Sequence, residues 1–395
     1  MTSSVIVGVG ITPFGKHMER GLRSLTHEAV TEALDEARLA ADDIDAVFFA
    51  NAAGGFITGQ EMIRGQAALR GLGFEGKPVV NVENACASGS SAVHLACLAV
   101  ESGQYRTVLV VGAEKMLHPN KDVTFRALAA AVDLEEEQER LAAGAENQAG
   151  NGSKFMDIYA AKARKYMEHS GATAADFAQV SVKSRAGAAR NPAAQFRTEL
   201  SVAEVLASRS IASPLTMLMC SPNAVGAAAL VITSEDQARA RSAAHVRIRA
   251  SALVSGRGST NQESAVRRAA QRAYECAGIG PDELDVIELH DAAAPAELQL
   301  YEALGLCKQY EGVNLLRSGA TALGGRLPVN PSGGLLSRGH PIGATGCAQL
   351  VELTRQLLGR AVGRQRHGAR VALAQNAGGQ QGDDEAVAVV TILSI

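Results

Sequence analysis

The phrase Asp42-Asp-Ile-Asp-Ala-Val returns far downstream as Asp282-Glu-Leu-Asp-Val-Ile, and the patterns around it return in the same order. In the first round, a strand pattern at Ser4 to Gly10 leads into an amphipathic helix pattern at Leu25 to Leu39. Asp45 to Asn51 then reads as a strand. Pro78-Val-Val-Asn-Val, a helix from about Ser88 to Ser102 and a buried strand at Thr107 to Gly112 complete it. The second round offers a strand at Val246 to Leu253, a helix at Ser264 to Ala277 and a strand at Asp285 to Asp291. Leu327-Pro-Val-Asn, a helix from about Gly343 to Leu358 and a strand at Arg370 to Ala374 follow. Such an internal duplication predicts two βαβαβ-like halves, each with parallel strands covered by helices on both faces. Packed together, the halves give five layers, α/β/α/β/α. The stretch 114–214 has no counterpart in the second half; it is rich in helix patterns broken at Gly150 to Gly152 and at Asn191-Pro192. We expect residues 1–113 with 215–240 to form the N-terminal half, 114–214 an inserted loop domain and 241–395 the C-terminal half.

Composition narrows the partners. Of 395 residues, 47% are hydrophobic and 20% charged, enough apolar material for a large core. Formal net charge is −3 and there is no Lys/Arg run, which argues against nucleic acid or an anionic membrane and for small molecules. The longest apolar runs, Thr107 to Ala113 and Ala386 to Ile395, have strand length and fall well short of the ~20 residues of a membrane span. The N-terminus shows no basic leader with a cleavage site and the C-terminal Leu-Ser-Ile is no peroxisomal address, so a cytoplasmic protein is expected. Six cysteines occur without a Cys-x-x-Cys pair or a metal-finger spacing, so they are read singly and no metal is expected.

Three places carry chemistry. Asn84-Ala-Cys86-Ala-Ser-Gly-Ser-Ser puts a cysteine between a strand and a helix whose first turn is made of small residues. There, free N–H groups favour the thiolate and small side chains leave room for a bulky group. Cys97, eleven residues on, reads as core. The run Asn330-Pro-Ser-Gly-Gly-Leu-Leu-Ser-Arg-Gly-His340-Pro-Ile-Gly-Ala-Thr-Gly346 holds a histidine rigidly ahead of a helix, placed to exchange a proton with a thiol. His290, at the C-terminal end of a strand and followed by Asp291, lies where α/β folds build sites. Ala374-Gln-Asn376-Ala-Gly378-Gly379 adds a strand entering a glycine turn whose N–H groups suit an oxyanion.

In this order, over nearly the whole chain from Val5 on, these motifs resemble the thiolase superfamily, and the sterol-carrier-protein-2 type in particular. The resemblance implies the five-layer thiolase fold, acylation of Cys86 in a Cys-x-Ser motif and activation by His340 of Gly339-His340-Pro341. His290-Asp291-Ala292-Ala293 takes the place of that type's His-Asp-Cys-Phe, and Cys220-Ser-Pro-Asn-Ala-Val that of a family loop in which Val225 stands where Asp is common. It also implies a coenzyme A thioester as substrate, with no permanently bound cofactor, and a homodimer. A second acid/base cysteine, which carbon–carbon bond-forming members use, is replaced by Asn376 in one motif and Ala292 in the other.

The expectation is an acyltransferase: Cys86 attacks an acyl-CoA, the N–H groups of Cys86 and Gly378 hold the oxyanion, and His290 polarises the thioester oxygen or takes a proton. Asn376 and Asp291 support the site. The acyl group passes to CoA or to an acceptor already nucleophilic, and a decarboxylative condensation stays open because the Cys-His-His set resembles that of ketoacyl synthases. Two other readings remain. One is a CoA-ester aldolase working with a small OB-fold subunit, for which Cys86 is dispensable; the other is a non-enzymatic scaffold for a partner.

Overall fold

A computed structural model describes residues 3–142, 154–259 and 263–395. The strands of the large sheet are β1 (Ser4–Ile11), β2 (Ala46–Ala50), β3 (Val79–Val82), β4 (Thr107–Lys115), β5 (Val225–Ser234), β6 (Val246–Ser255), β7 (Val286–Glu288), β8 (Val371–Gln381) and β9 (Asp384–Ser394). The first half orders its strands β3-β2-β4-β5-β1 and the second β6-β9-β8-β7. The two meet where β1 pairs with β6 through Val5–Arg247 and Ile6–Val246. Within the first half β2 runs parallel to β3 and β4, but β5 and β1 are antiparallel; the second half repeats this, with β7 parallel to β8 and the rest antiparallel. The sheets are therefore mixed, where the duplicated pattern predicts parallel strands alone. The reason is that β5 and β9 return as long neighbours, a choice that hydrophobic periodicity does not record.

Five layers follow from three apolar cores. α1 (Leu22–Ala37) covers the outer face of the first half through Leu25, Ala29, Val30 and Ala33 against Val5, Val7, Val47 and Val231. α2 (Ser88–Glu101) and α8 (Ile342–Leu357) lie between the two sheets, where Ala92, Val93, Ala344 and Leu350 pack with Ile6, Val110, Ile248 and Ala372. On the outer face of the second half lie α6 (Ala265–Ala277) and α7 (Ala294–Ala303), with α5 (Ala174–Ala188) packed beside them. β4 and β5 are flanked on both faces, so nearly every residue in them is buried. α3 (Lys121–Ala129) and α4 (Lys154–Ser170) come from the unduplicated stretch, whose expected break at Gly150 to Gly152 lies outside the described residues.

Two elements are shorter than their patterns. The strand expected over Asp285 to Asp291 ends at Glu288, and Leu327-Pro-Val-Asn contributes a lone parallel bridge, Ile287–Val329. Pro328 has no N–H to donate to a ladder. Beyond Glu288 the backbone turns for local partners: Leu289 N–H donates to Asn330 Oδ1 at 2.8 Å and His290 N–H to Gln375 Oε1 at 3.0 Å. His290 thus stands past the strand end, aimed at the middle of the molecule.

Candidate active site

The small residues opening α2 do a different job from the one the sequence suggests. A Cβ on Gly89 would come within 2.9 Å of Gly343 O and Cys347 N, and one on Gly346 within 2.4 Å of Ser90 N. The two central helices therefore cross at their glycines, almost backbone to backbone, and this brings Cys86, just before α2, beside His340, just before α8. The Cys86 turn is locked locally. Ala85 takes a left-handed φ of 47°, Asn84 N–H donates to Ser88 Oγ at 2.9 Å, and Ser88 Oγ donates to Ala85 O at 2.6 Å.

Cys86 Sγ and ring nitrogens of His290 and His340 lie within 4.8 Å of one another. The two imidazoles meet edge to face, with centroids 5.1 Å apart at 77°. Their tautomers follow from their partners. Thr345 Oγ1 donates to Pro341 O at 3.1 Å, so at 2.7 Å it accepts from His340 Nδ1–H and leaves Nε2 as the basic nitrogen. His290 Nδ1 faces two donors, Ala377 N–H at 3.3 Å and Asn376 Nδ2 at 3.5 Å, which puts its proton on Nε2.

Burial pushes the Cys86 thiol up to about 12, with the Glu114 carboxylate adding to the effect. Burial also lowers His290 to about 4 and holds His340 well below its ordinary range, aided by the charge His290 would carry and by Arg338. The resting site is neutral. Against the thiolate that the sequence suggests at a helix N-terminus, Cys86 lies in the short turn Ala85–Ala87 that runs into α2, where burial raises its pKa more than the backbone N–H groups lower it. The N–H groups that favour negative charge on its sulfur are its own and that of Gly379. Gly378 abuts the same loop, since a Cβ there would lie 2.3 Å from Asn84 O and 3.0 Å from Cys86 N.

Asn376 is fully buried. Its Oδ1 accepts from Ser90 Oγ at 3.2 Å and its Nδ2 donates to Gln349 Oε1 at 3.3 Å, so it braces His290 from behind. Asp291 makes no bond to the His290 ring; its carboxylate accepts from Leu335 N–H at 2.7 Å and anchors the turn leading to His340. Cys97 lies in the core between the sheets. The sequence reading passed over Thr345, Gln349 and the buried Glu114, whose carboxylate accepts from the Ala52 and Ala53 N–H groups after β2 and from Gly343 N–H at the start of α8. Thr345 alone had a signal, its place five residues after His340 in the glycine-rich run.

The cluster lines a cavity of about 840 Å³, toward the upper end for small-molecule sites. Ala292, Ala377 and Gly378 complete its floor, and Phe125, Leu128, Phe155, Met156 and Tyr159 of α3 and α4 line its apolar walls. Among the described residues this Cys-His-His group is the one spaced to hold a metal ion. Zn²⁺ at micromolar concentration is expected to slow alkylation of Cys86 by iodoacetamide, and a chelator to restore it, as followed by peptide mass.

Family models agree with this architecture. One described as thiolase, N-terminal domain, matches residues 4–213, and one described as thiolase C-terminal domain-like matches residues 240–393. The chain belongs to the thiolase family and is an acyltransferase of that type. It is 36% identical to the acetyl-CoA acetyltransferase of Methanothermobacter thermautotrophicus, over 97% of this chain and 98% of that protein. It is equally 36% identical to the benzoylsuccinyl-CoA thiolase subunit BbsB of Thauera aromatica, over 95% and 94% of the two chains. Human sterol carrier protein 2 is 36% identical over 94% of this chain and 69% of its own length. Among solved structures, the Ltp2-ChsH2(DUF35) aldolase superposes with a TM-score of 0.79 at 25% identity, covering 99% of this chain and 97% of that one. Human mitochondrial 3-ketoacyl-CoA thiolase, at 16% identity and a TM-score of 0.74, shares the fold. Among the described residues no helix is long and apolar enough to cross a membrane.

Proposed function

We propose that the protein carries an acyl group on Cys86 and transfers it between coenzyme A and a nucleophilic acceptor. The observation that carries this is the convergence of Cys86 Sγ with the two imidazoles on the wall of a largely apolar cavity. Because the thiol is held neutral, the S–H proton moves to His340 Nε2 as sulfur bonds to the thioester carbon. Negative charge on the carbonyl oxygen is met by N–H groups of the Cys86 and Gly378–Gly379 loops and by His290 Nε2–H. The tetrahedral adduct then collapses: the carbon–sulfur bond to CoA breaks, and the CoA thiolate takes the proton from His340. The acceptor reverses these steps. Exposed Lys165 and Arg209 on the cavity wall supply positive charge for the CoA phosphates. The stretch 114–214 serves as the unit that roofs the site, between halves spanning 1–113 with 215–240 and 241–395.

Mass spectrometry of the intact protein after mixing with an acyl-CoA tests the reading. A gain of one acyl group on wild type and none on Cys86→Ala supports it; equal gain, or none on wild type, sinks it. Thr345→Val leaves the His340 Nδ1 proton without its acceptor and is expected to slow acyl-enzyme formation roughly tenfold, the worth of one such bond. Stopped-flow release of CoA measures that rate.

A second reading has the similarity to the Ltp2-ChsH2(DUF35) aldolase behind it. A small OB-fold subunit bound to this chain and carbon–carbon cleavage independent of Cys86 would support that reading. As to assembly, we propose a homodimer through the β3 edge, because β3 is the last strand of its sheet and carries the exposed Val80.

A further inference from the structure

β8 presents alternate residues to opposite sides. Ala372 and Ala374 pack into the core between the sheets, and Asn376 bonds to Ser90 and Gln349 of the two central helices. Leu373 and Ala377 belong instead to the outer core of the second half. Gln375 falls in this second set and lines the cavity with Ala377, although it is fully buried. Its Oε1 accepts from His290 N–H at 3.0 Å. An N–H must meet an oxygen there, so this bond fixes which end of the carboxamide is which. The other end, Nε2, has no partner among the described residues. Of the buried side-chain atoms without a partner among the described residues, Gln375 Nε2 is the one that belongs to a residue lining the cavity. A buried N–H2 with nothing to bond is costly, and one kept at a ligand site marks where a ligand acceptor belongs.

We propose that Gln375 is a further catalytic residue, whose side-chain N–H2 donates to the carbonyl oxygen of the bound thioester beside His290 Nε2–H. Nε2 and Oε1 share one carbon, so the unused N–H groups lie next to His290 and not in a remote arm of the cavity. Ala292, Ala296 and Ala377 line the same cavity, and their methyl groups offer no acceptor and leave room for one that arrives with the substrate. The amide is held in place before any ligand binds. Turning it would break the bond to His290 N–H, and the Gln375 backbone is pinned where its carbonyl accepts from Gln349 Nε2 at 3.0 Å. A fixed neutral dipole of this kind is worth most where charge appears only as the reaction proceeds. The carbonyl oxygen gains its charge when Cys86 attacks a neutral thioester in a site that rests neutral. A carboxamide neither takes up nor releases a proton, so Gln375 holds that oxygen without competing with His340 for the thiol proton.

This contact presupposes the acyl-CoA reading, and the experiment tells the two apart. Octanoyl-CoA and S-octyl-CoA, a thioether with a methylene in place of the carbonyl, are titrated calorimetrically into Cys86→Ala protein, so that binding is read without acylation. The ratio of the two dissociation constants reports what the carbonyl oxygen gains. Gln375→Met, close in size and without the amide, is expected to lower that advantage of the ester about tenfold, with S-octyl-CoA binding unchanged. The same loss is expected in a His290→Ala background, which separates direct contact from an effect passed through His290. A melting temperature near that of Cys86→Ala verifies the fold; if Gln375→Met melts low, Gln375→Asn, which draws the amide back by one carbon, is read in the same way. An advantage that Gln375→Met leaves unchanged, or a loss that disappears once His290 is alanine, overturns the assignment and leaves the acyl-CoA reading intact. Failure of both ligands to bind Cys86→Ala overturns both.

Discussion

Cys86→Ala is expected to fold like wild type and to lose acyl transfer by roughly 10⁴-fold or more, the scale on which removal of a covalent nucleophile acts. Folding survives because the side chain faces the cavity; the turn around it is held by Asn84, Ala85 and Ser88, which the substitution does not touch. Activity does not survive, because no other thiol shares the space between the two imidazoles. Cys220 lines the same cavity but falls outside the cluster and bonds to Thr216 O, and Cys347 is buried between the central helices. Initial rates of CoA release, with intact mass as the check on the adduct, give the measurement. Undiminished turnover in the variant would move the protein to the Cys86-independent aldolase reading.

Glu288→Ala is expected to cost about 3–5 kcal/mol of stability, the range for removing one member of a buried ion pair. Arg338 is 1% exposed and Glu288 fully buried; Arg338 Nη1 lies 3.3 Å from Glu288 Oε2, and Ser332 binds the same carboxylate through N–H at 3.0 Å and Oγ at 2.7 Å. Burial raises the Glu288 pKa to about 7 and Arg338 opposes the rise. Without the carboxylate, the guanidinium keeps only Ser332 Oγ and Ala348 O, and its Nε and Nη2 have no partner among the described residues. The position also couples to the site, because Glu288 ends β7 two residues before His290 and Arg338 lies two before His340. Urea unfolding should show the lower midpoint, and acyl transfer under native conditions should fall with it.

Much of the frame was legible because periodicity survives in a duplicated chain. The helix expected from Ser88 to Ser102 forms over Ser88–Glu101, and that expected from Gly343 to Leu358 over Ile342–Leu357. Burial on both sheet faces wrote near-continuous apolar runs at β4 and β5. Strand direction was less legible: which strand lies beside which is settled by the long returns of β5 and β9, and nothing in a single strand's residue pattern names its neighbour. His290 was expected at a strand end and stands beyond one, because Asn330 and Gln375, distant in sequence, take up the backbone that a ladder would have used.

For this protein, the sequence by itself determined the duplication, the family and the three motifs that hold Cys86, His290 and His340. Residue types and short spacings encode those, and both are local. Only the tertiary structure decided that Cys86 rests as a neutral thiol, that Thr345 and Ala377 set the histidine tautomers, and that Asn376 braces His290 instead of facing the cavity. Each depends on desolvation or on a hydrogen bond that exists once the glycine crossing of α2 and α8 has closed the site, and no window of sequence contains both sides of that contact.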